Sequence, residues 1–155
     1  MAVGLALAAN TQVSALTSLF VGSLLQHPSL PVLIETNKHR LRYNYELLTH
    51  FFKKHHIPYV PCNASLYVFA QLAVGAQTWA EEKSMVRRLR DAGVLVSAGS
   101  AYHVPEANKG WMRVGFAVDT AVLEEAIERM KGLFEIAESR TNGVNEFFTK
   151  RARYE

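Results

Sequence analysis

Between Trp111 and Ala117 the apolar side chains Met112, Val114 and Phe116 alternate with Arg113, Gly115 and Ala117. Successive side chains of a β-strand point to opposite faces, so this stretch predicts a strand with two unlike faces. One face is apolar and suited to a core. The other sets a single arginine beside two small residues, which leaves space around its guanidinium. A chain built on such a strand needs helices on the apolar side and leaves the other side available.

The remaining sequence supplies those helices. Leu16, Leu19, Phe20 and Leu24 recur at three- and four-residue steps, which predicts a first helix over about Asn10 to Gln26, closed by His27-Pro28. A longer periodic segment begins near Ser29 and Pro31, runs through Ile34, Leu41, Tyr45, Leu48, Phe51 and Phe52, and stops at Ile57-Pro58. Its polar residues, among them Glu35, Arg40, Arg42 and Glu46, imply one wet face, and its length suggests a connector. Tyr59 to Cys62 and Leu66 to Leu72 flank the turn-like Asn63-Ala64-Ser65 and predict a hairpin. Thr78 with Glu81 forms a capping box for a third helix that ends at Asp91-Ala92, with Gly93 as the stop. Val94 to Val96 predict a short buried strand, and Ser97 to Gly110 a loop. Asp119 caps a last helix over about Thr120 to Glu138. The sum is one α+β unit, a small antiparallel or mixed sheet covered by helices, with a long connector helix near the amino terminus.

Composition narrows the function classes. A chain of 155 residues, 49% hydrophobic, can bury a core of its own. The net charge of +3 is dispersed among carboxylates, so no nucleic-acid partner is expected. An RNA-binding sheet would also need exposed aromatic residues, whereas Tyr67, Phe69 and Phe116 read as core. Cys62 is the single cysteine, which excludes an internal disulfide and fits a reducing, cytoplasmic setting. Met1 to Ala9 is apolar but has no Lys or Arg before it, so it is not read as a signal peptide. No apolar run reaches the roughly 20 residues of a membrane span. His55-His56 lacks a completing Cys, Asp or Glu and reads as a solvated helix end, not a metal site. His103 and Glu106 fall in a surface loop. Ser97 and Ser100 have no His-Asp partners, so nucleophilic catalysis is not indicated.

Four stretches taken together resemble the carboxyl-terminal small domain of the fold-type I, class I/II pyridoxal-phosphate-dependent aminotransferases, and most closely the aminocyclopropane-carboxylate synthase-like branch. They are Asn37-Lys38-His39-Arg40-Leu41, Asn63-Ala64-Ser65-Leu66-Tyr67-Val68-Phe69, Ala92-Gly93-Val94-Leu95-Val96-Ser97 and Gly110-Trp111-Met112-Arg113-Val114-Gly115-Phe116-Ala117. They are collinear with the family from about Thr11 to Glu135. The resemblance implies that Arg113 is the arginine that pairs with the substrate α-carboxylate, a task suited to a planar, permanently charged fork of donors. Read without the resemblance, Arg113 is an ordinary surface arginine. The loop Ser97-Ala98-Gly99-Ser100-Ala101-Tyr102 is similar to the family's substrate-side loop, with Ala98 in place of the usual proline. It makes Gly99, Ser100 and Tyr102 possible substrate-loop residues, with Gly99 free to adopt a positive φ or allow close approach.

In the family, pyridoxal phosphate is held by a Schiff-base lysine and by Asp, Asn, Tyr and Arg residues of the large domain, upstream of the matched region. Lys38, Lys53, Lys54, Lys83, Lys109 and Lys131 all fall on polar helix faces or in loops and do not replace that lysine. No catalytic, cofactor-binding or metal residue is therefore assigned, and the chain by itself is expected to be inactive and not to bind the cofactor. The resemblance divides it into 1–28, a helix for the absent large domain, 29–138, the small domain, and 139–155, a tail. The expected partners are the carboxylate of an amino acid or 2-oxo acid and either a large-domain fragment or a full-length homologue. The alternative is a non-catalytic carboxylate-binding or interaction module of the same descent.

Overall fold

The computed structural model describes residues 13–102 and 105–134, and the tail anticipated over 139–155 lies outside them. The chain divides into two compact units, Met1–His39 and Arg40–Glu155. In the first, helix α1 spans Ala15–Leu25 and buries none of its residues. Helix α2, Leu30–Lys54, begins in this unit and continues into the second. Among the described residues no helix is long and apolar enough to cross a membrane.

The second unit holds the sheet. Strands β1 (Tyr67–Ala70), β2 (Ser97–Ala98) and β3 (Met112–Gly115) form a three-stranded antiparallel sheet in the order β1-β3-β2. Helix α3 covers Trp79–Asp91, and a last helix, α4, occupies 120–134 of the described residues. The core collects Val68, Met112, Val114 and Phe116 from the sheet side, Leu48, Phe51 and Phe52 from α2, Met85 and Leu89 from α3, and Leu123, Ile127 and Met130 from α4. The α+β architecture expected from sequence is therefore the one observed.

Helix α3 starts and stops where its sequence says. Thr78 accepts from the Glu81 amide, and the Glu81 carboxylate accepts from the amides of Gln77 (2.6 Å) and Thr78 (3.1 Å). At the other end Gly93 takes φ of +80°, and the amides of Gly93 and Val94 donate back to Arg90 and Leu89. Asp119 caps α4 by accepting from the Ala121 amide at 3.0 Å.

Two local expectations change. The stretch Tyr59–Leu72 is not a hairpin of paired strands: it has one antiparallel bridge, Tyr59 with Ala70, while the whole of β1 pairs with β3. Central β3 offers four residue pairs to β1, more than the short Pro-flanked segment Tyr59–Pro61 can provide. The strand expected over Val94–Val96 forms instead at Ser97–Ala98. Its first residues are held by the C-terminal turn of α3, and Leu95 is 80% exposed.

One polar residue fastens α2 to the end of the sheet. Asn44 is buried; its Nδ2 donates to the carbonyls of Phe116 (2.9 Å) and Val118 (2.8 Å), and its Oδ1 accepts from Thr120 Oγ1 (2.8 Å). Gly110, at φ +86°, enters β3 so close to the loop after β1 that a Cβ would lie 2.2 Å from the Ala73 carbonyl oxygen.

Asn44→Ala strands the buried Phe116 carbonyl and removes two further part-buried hydrogen bonds. It is expected to cost about 2–4 kcal/mol of unfolding free energy, at roughly 1–3 for the unpaired buried group and about 0.5–1.5 for each other bond. Gly110→Ala adds a backbone collision to an αL strain of about 1–2 kcal/mol. Urea unfolding should therefore rank it as more damaging than Gly115→Ala, where a Cβ meets nothing within 4 Å. The amide of Gln77, followed by that of Thr78, holds the Glu81 carboxyl below the usual carboxylate range. A depressed folded-state value contributes stability above the unfolded value, near pH 4.3, and that contribution disappears as pH falls through the folded value. Thermal melts should show Glu81→Gln below wild type in Tm at pH 6, with the gap closing towards pH 2.

Candidate carboxylate-binding site

Residues Met112 and Val114 of β3 are buried, so Arg113 is turned to the opposite face of the sheet. The antiparallel register sets Phe69 and Ser97 directly across from Arg113, and Tyr67 across from Gly115. That face therefore carries Tyr67, Phe69, Ser97, Arg113 and Gly115. Tyr67 is 45% exposed and Phe69 half-buried, so only Phe116 of the three sheet aromatics belongs to the core. The reason lies in the register: residues 67 and 69 have the parity of 113, and residue 116 has the parity of 112 and 114.

The Arg113 guanidinium lies over two tyrosine rings, its carbon 4.9 Å from the centroid of Tyr67 and 4.8 Å from that of Tyr102. Tyr102 is in turn packed edge-on against Phe69 at 5.6 Å. Among the described residues the guanidinium makes no hydrogen bond and no ion pair, so its in-plane N–H groups are uncommitted. Cation–π contacts engage the guanidinium without using those donors. The arrangement is a fixed, positively charged fork on an open face, suited chemically to a planar anion such as a carboxylate.

The loop residues are divided between support and surface. Gly99 is buried, opens a 3-10 turn over Gly99–Tyr102, and donates its amide to the Trp111 carbonyl at 2.8 Å. The positive-φ glycines among the described residues are Gly75, Gly93 and Gly110. The freedom sought at Gly99 is used at Gly110. Ser100 is exposed in side chain, and its amide donates to Glu82 Oε1 at 3.1 Å. Tyr102 is 38% exposed and covers Arg113. His103 lies outside the described residues, and the backbone of Glu106 starts a second 3-10 turn, Glu106–Asn108.

Glu82 is the residue sequence reasoning passed over. It is 0% exposed, and besides Ser100 its Oε2 accepts from the Gly110 amide at 2.9 Å. The available signal was its spacing: Glu82, Met85 and Leu89 share one face of α3, and all three are buried.

The other candidates hold no competing chemistry. Burial pushes the Cys62 thiol up, away from a reactive thiolate. His55 packs against Phe51 and Phe134, which corrects its reading as a solvated helix end, and His56 takes φ of +51° beyond the helix. Both line an open groove of about 940 Å³ with Lys54, Ser84 and Arg88, apart from Arg113. Among the described residues no three His, Cys, Asp or Glu side chains group to hold a metal ion. Lys38 and Lys131 are ion-paired with Glu35 and Glu128, Lys109 lies over the Trp79 ring at 5.5 Å, and Lys53, Lys54 and Lys83 are exposed. These environments do not fit a Schiff-base lysine for pyridoxal phosphate.

No family model matches the sequence. The chain is nevertheless 49% identical over 131 residues to the probable aminotransferase aclI of Aspergillus oryzae, covering 84% of this chain and 31% of that protein. It is 32% identical over 135 residues to the probable aminotransferase gliI of Aspergillus fumigatus, covering 82% of this chain and 31% of the relative. An aromatic aminotransferase from Pyrococcus horikoshii superposes with a TM-score of 0.64 at 24% identity, over 75% of this chain and 30% of that one. The shared fold is thus that of an aminotransferase segment, and the chain spans about three tenths of the relatives' length. The chain belongs with these aminotransferases in sequence, and its fold is shared with a segment of solved aminotransferases about three tenths of their length.

Proposed function

We propose that this chain is the small domain of a pyridoxal-phosphate-dependent aminotransferase-type enzyme and that Arg113 binds the α-carboxylate of its amino-acid or 2-oxo-acid substrate. The observation that carries the reading is the guanidinium over the rings of Tyr67 and Tyr102 with its in-plane donors uncommitted among the described residues. Surface arginines usually spend their donors on neighbouring acids or water, whereas this one contacts two aromatic rings. Gly115, two residues along the same face, leaves the approach clear.

Pyridoxal phosphate, when bound to the complete enzyme, supplies the electron sink for amino-group transfer. The described residues of this chain do not fit that group, and their part is to bind and orient the carboxylate. The rest of the enzyme is the proposed partner, either as a large-domain fragment or within a full-length homologue. Exposed apolar side chains on α1, including Leu16 at 78%, Leu19 and Phe20, support a partner of that kind for residues 1–28. In this reading 29–138 is the small domain proper and 139–155 a separate tail, in a cytoplasmic protein consistent with its single thiol. A carboxylate-binding module without turnover is the second reading, favoured by the lysine environments.

The test is complementation with a large-domain fragment in the presence of pyridoxal phosphate. Restored amino transfer is expected, with Arg113→Ala raising KM by about tenfold or more, the value of one charge-assisted bidentate contact at roughly 1.5–3 kcal/mol. Arg113→Lys should recover only part of the loss. Carboxylate binding by NMR titration without any turnover would select the module reading. Equal KM in wild type and Arg113→Ala would remove the role of Arg113.

A further inference from the structure

The carboxylate of Glu82 is bonded to the connection that carries Tyr102 and leads into the strand of Arg113. It belongs to the first turn of α3, where the helix dipole favours a negative charge, and it is wholly removed from solvent. A buried carboxylate is stable only where donors satisfy it, and here the donors come from both ends of the connection between β2 and β3. Oε1 takes the Ser100 amide and Oε2 takes the Gly110 amide, ten residues further along the chain. Between these contacts Gly99 and Trp111 are joined backbone to backbone, and Gly110 in turn accepts from the Ala73 amide. Ser100 is the second residue of the 3-10 turn whose fourth residue is Tyr102. The amides at the start of such a turn have no partner within it, and one of them is met by the glutamate.

We propose that Glu82 is a positioning residue for this site: its buried carboxylate fixes the 3-10 turn that lays the Tyr102 ring over the Arg113 guanidinium. The inference rests on the carboxylate-binding reading of Arg113 for its functional effect, and on the geometry alone for the coupling between Glu82 and Tyr102. Without the glutamate, Gly99–Tyr102 and Lys109–Trp111 keep their backbone pairing, the Gln71 amide on the Lys109 carbonyl and the ring contacts of Lys109 with Trp79 and of Tyr102 with Phe69. The Ser100 and Gly110 amides, however, lose their shared acceptor, and a shift of the turn carries the ring off the guanidinium. Once that contact is lost, Arg113 must be reordered by each incoming carboxylate, which weakens binding. Glu82→Gln has the same shape, but an amide offers one acceptor where two are needed and turns its NH2 towards an N–H donor.

The experiment uses the 155-residue chain, with pyruvate and phenylpyruvate as probes. The ring currents of Tyr67 and Tyr102 should shift the Arg113 side-chain protons upfield in wild type. In folded Glu82→Gln these signals are expected to move towards their unshielded positions, and the Kd for the probe to rise about two- to fivefold, the value of one exposed cation–π contact. The double variant Glu82→Gln/Tyr102→Ala should bind no more weakly than Tyr102→Ala alone, because the two residues act through one contact. A role confined to general stability would leave the Arg113 shifts in place or make the two losses add, and either result overturns the proposal. Should Glu82→Gln fail to fold, Ser100→Pro removes the Ser100 amide donor with the carboxylate and its Gly110 contact intact and is expected to show the same shift change; unchanged Arg113 signals there would also overturn it. If wild type binds neither probe, the reading of Arg113 falls, while the ring-current comparison still decides the Glu82–Tyr102 coupling.

Discussion

The parity of the central strand governs the rest of this molecule. β3 is bordered on both sides, by β1 and β2, and Met112 and Val114 reach the interior from it. Each such apolar side chain contributes on the order of 1.5–3 kcal/mol when buried. A slip of one residue would expose both and turn Arg113 into the core, where an unpaired charge costs several kcal/mol. The position of the guanidinium on the open face therefore follows from the packing of its neighbours.

Packing alone leaves the sheet free to shift against its helices, and two buried polar residues remove that freedom. Asn44 satisfies backbone groups where β3 runs into α4, and Glu82 satisfies those where the loop enters β3. Both ends of the strand that carries Arg113 are consequently fixed by side-chain to backbone hydrogen bonds from two different helices. Buried polar contacts of this kind add little net free energy when made and are expensive to break, so they act chiefly on geometry. A binding site needs that geometry more than it needs stability.

The two faces of the sheet divide the labour. The helical side is continuous hydrophobic core, whereas the other offers one cation, two tyrosines, a half-buried phenylalanine and a glycine. Relatives about three times as long share this segment, and in the proposed enzyme its work is recognition. Electron chemistry would come with the cofactor and the remaining length.

Local signals in the sequence determined much of this protein. The 3.6-residue period of α2, the capping box at Thr78, the glycine stop at Gly93 and the alternation around Arg113 each appear where backbone physics places them, because each depends on residues within a few positions. The resemblance made Arg113 and the loop Ser97–Tyr102 candidates. Pairing was only partly legible: β1 makes its full ladder with β3 and a single bridge with its neighbour Tyr59–Cys62, since strand choice compares partners far apart in the chain. The side of the sheet on which Tyr67 and Phe69 stand, the contact of Tyr102 with Arg113 and the burial of Glu82 were not legible. Those depend on register and on which donors arrive from distant loops, and only the tertiary structure brings such groups within hydrogen-bonding or stacking distance.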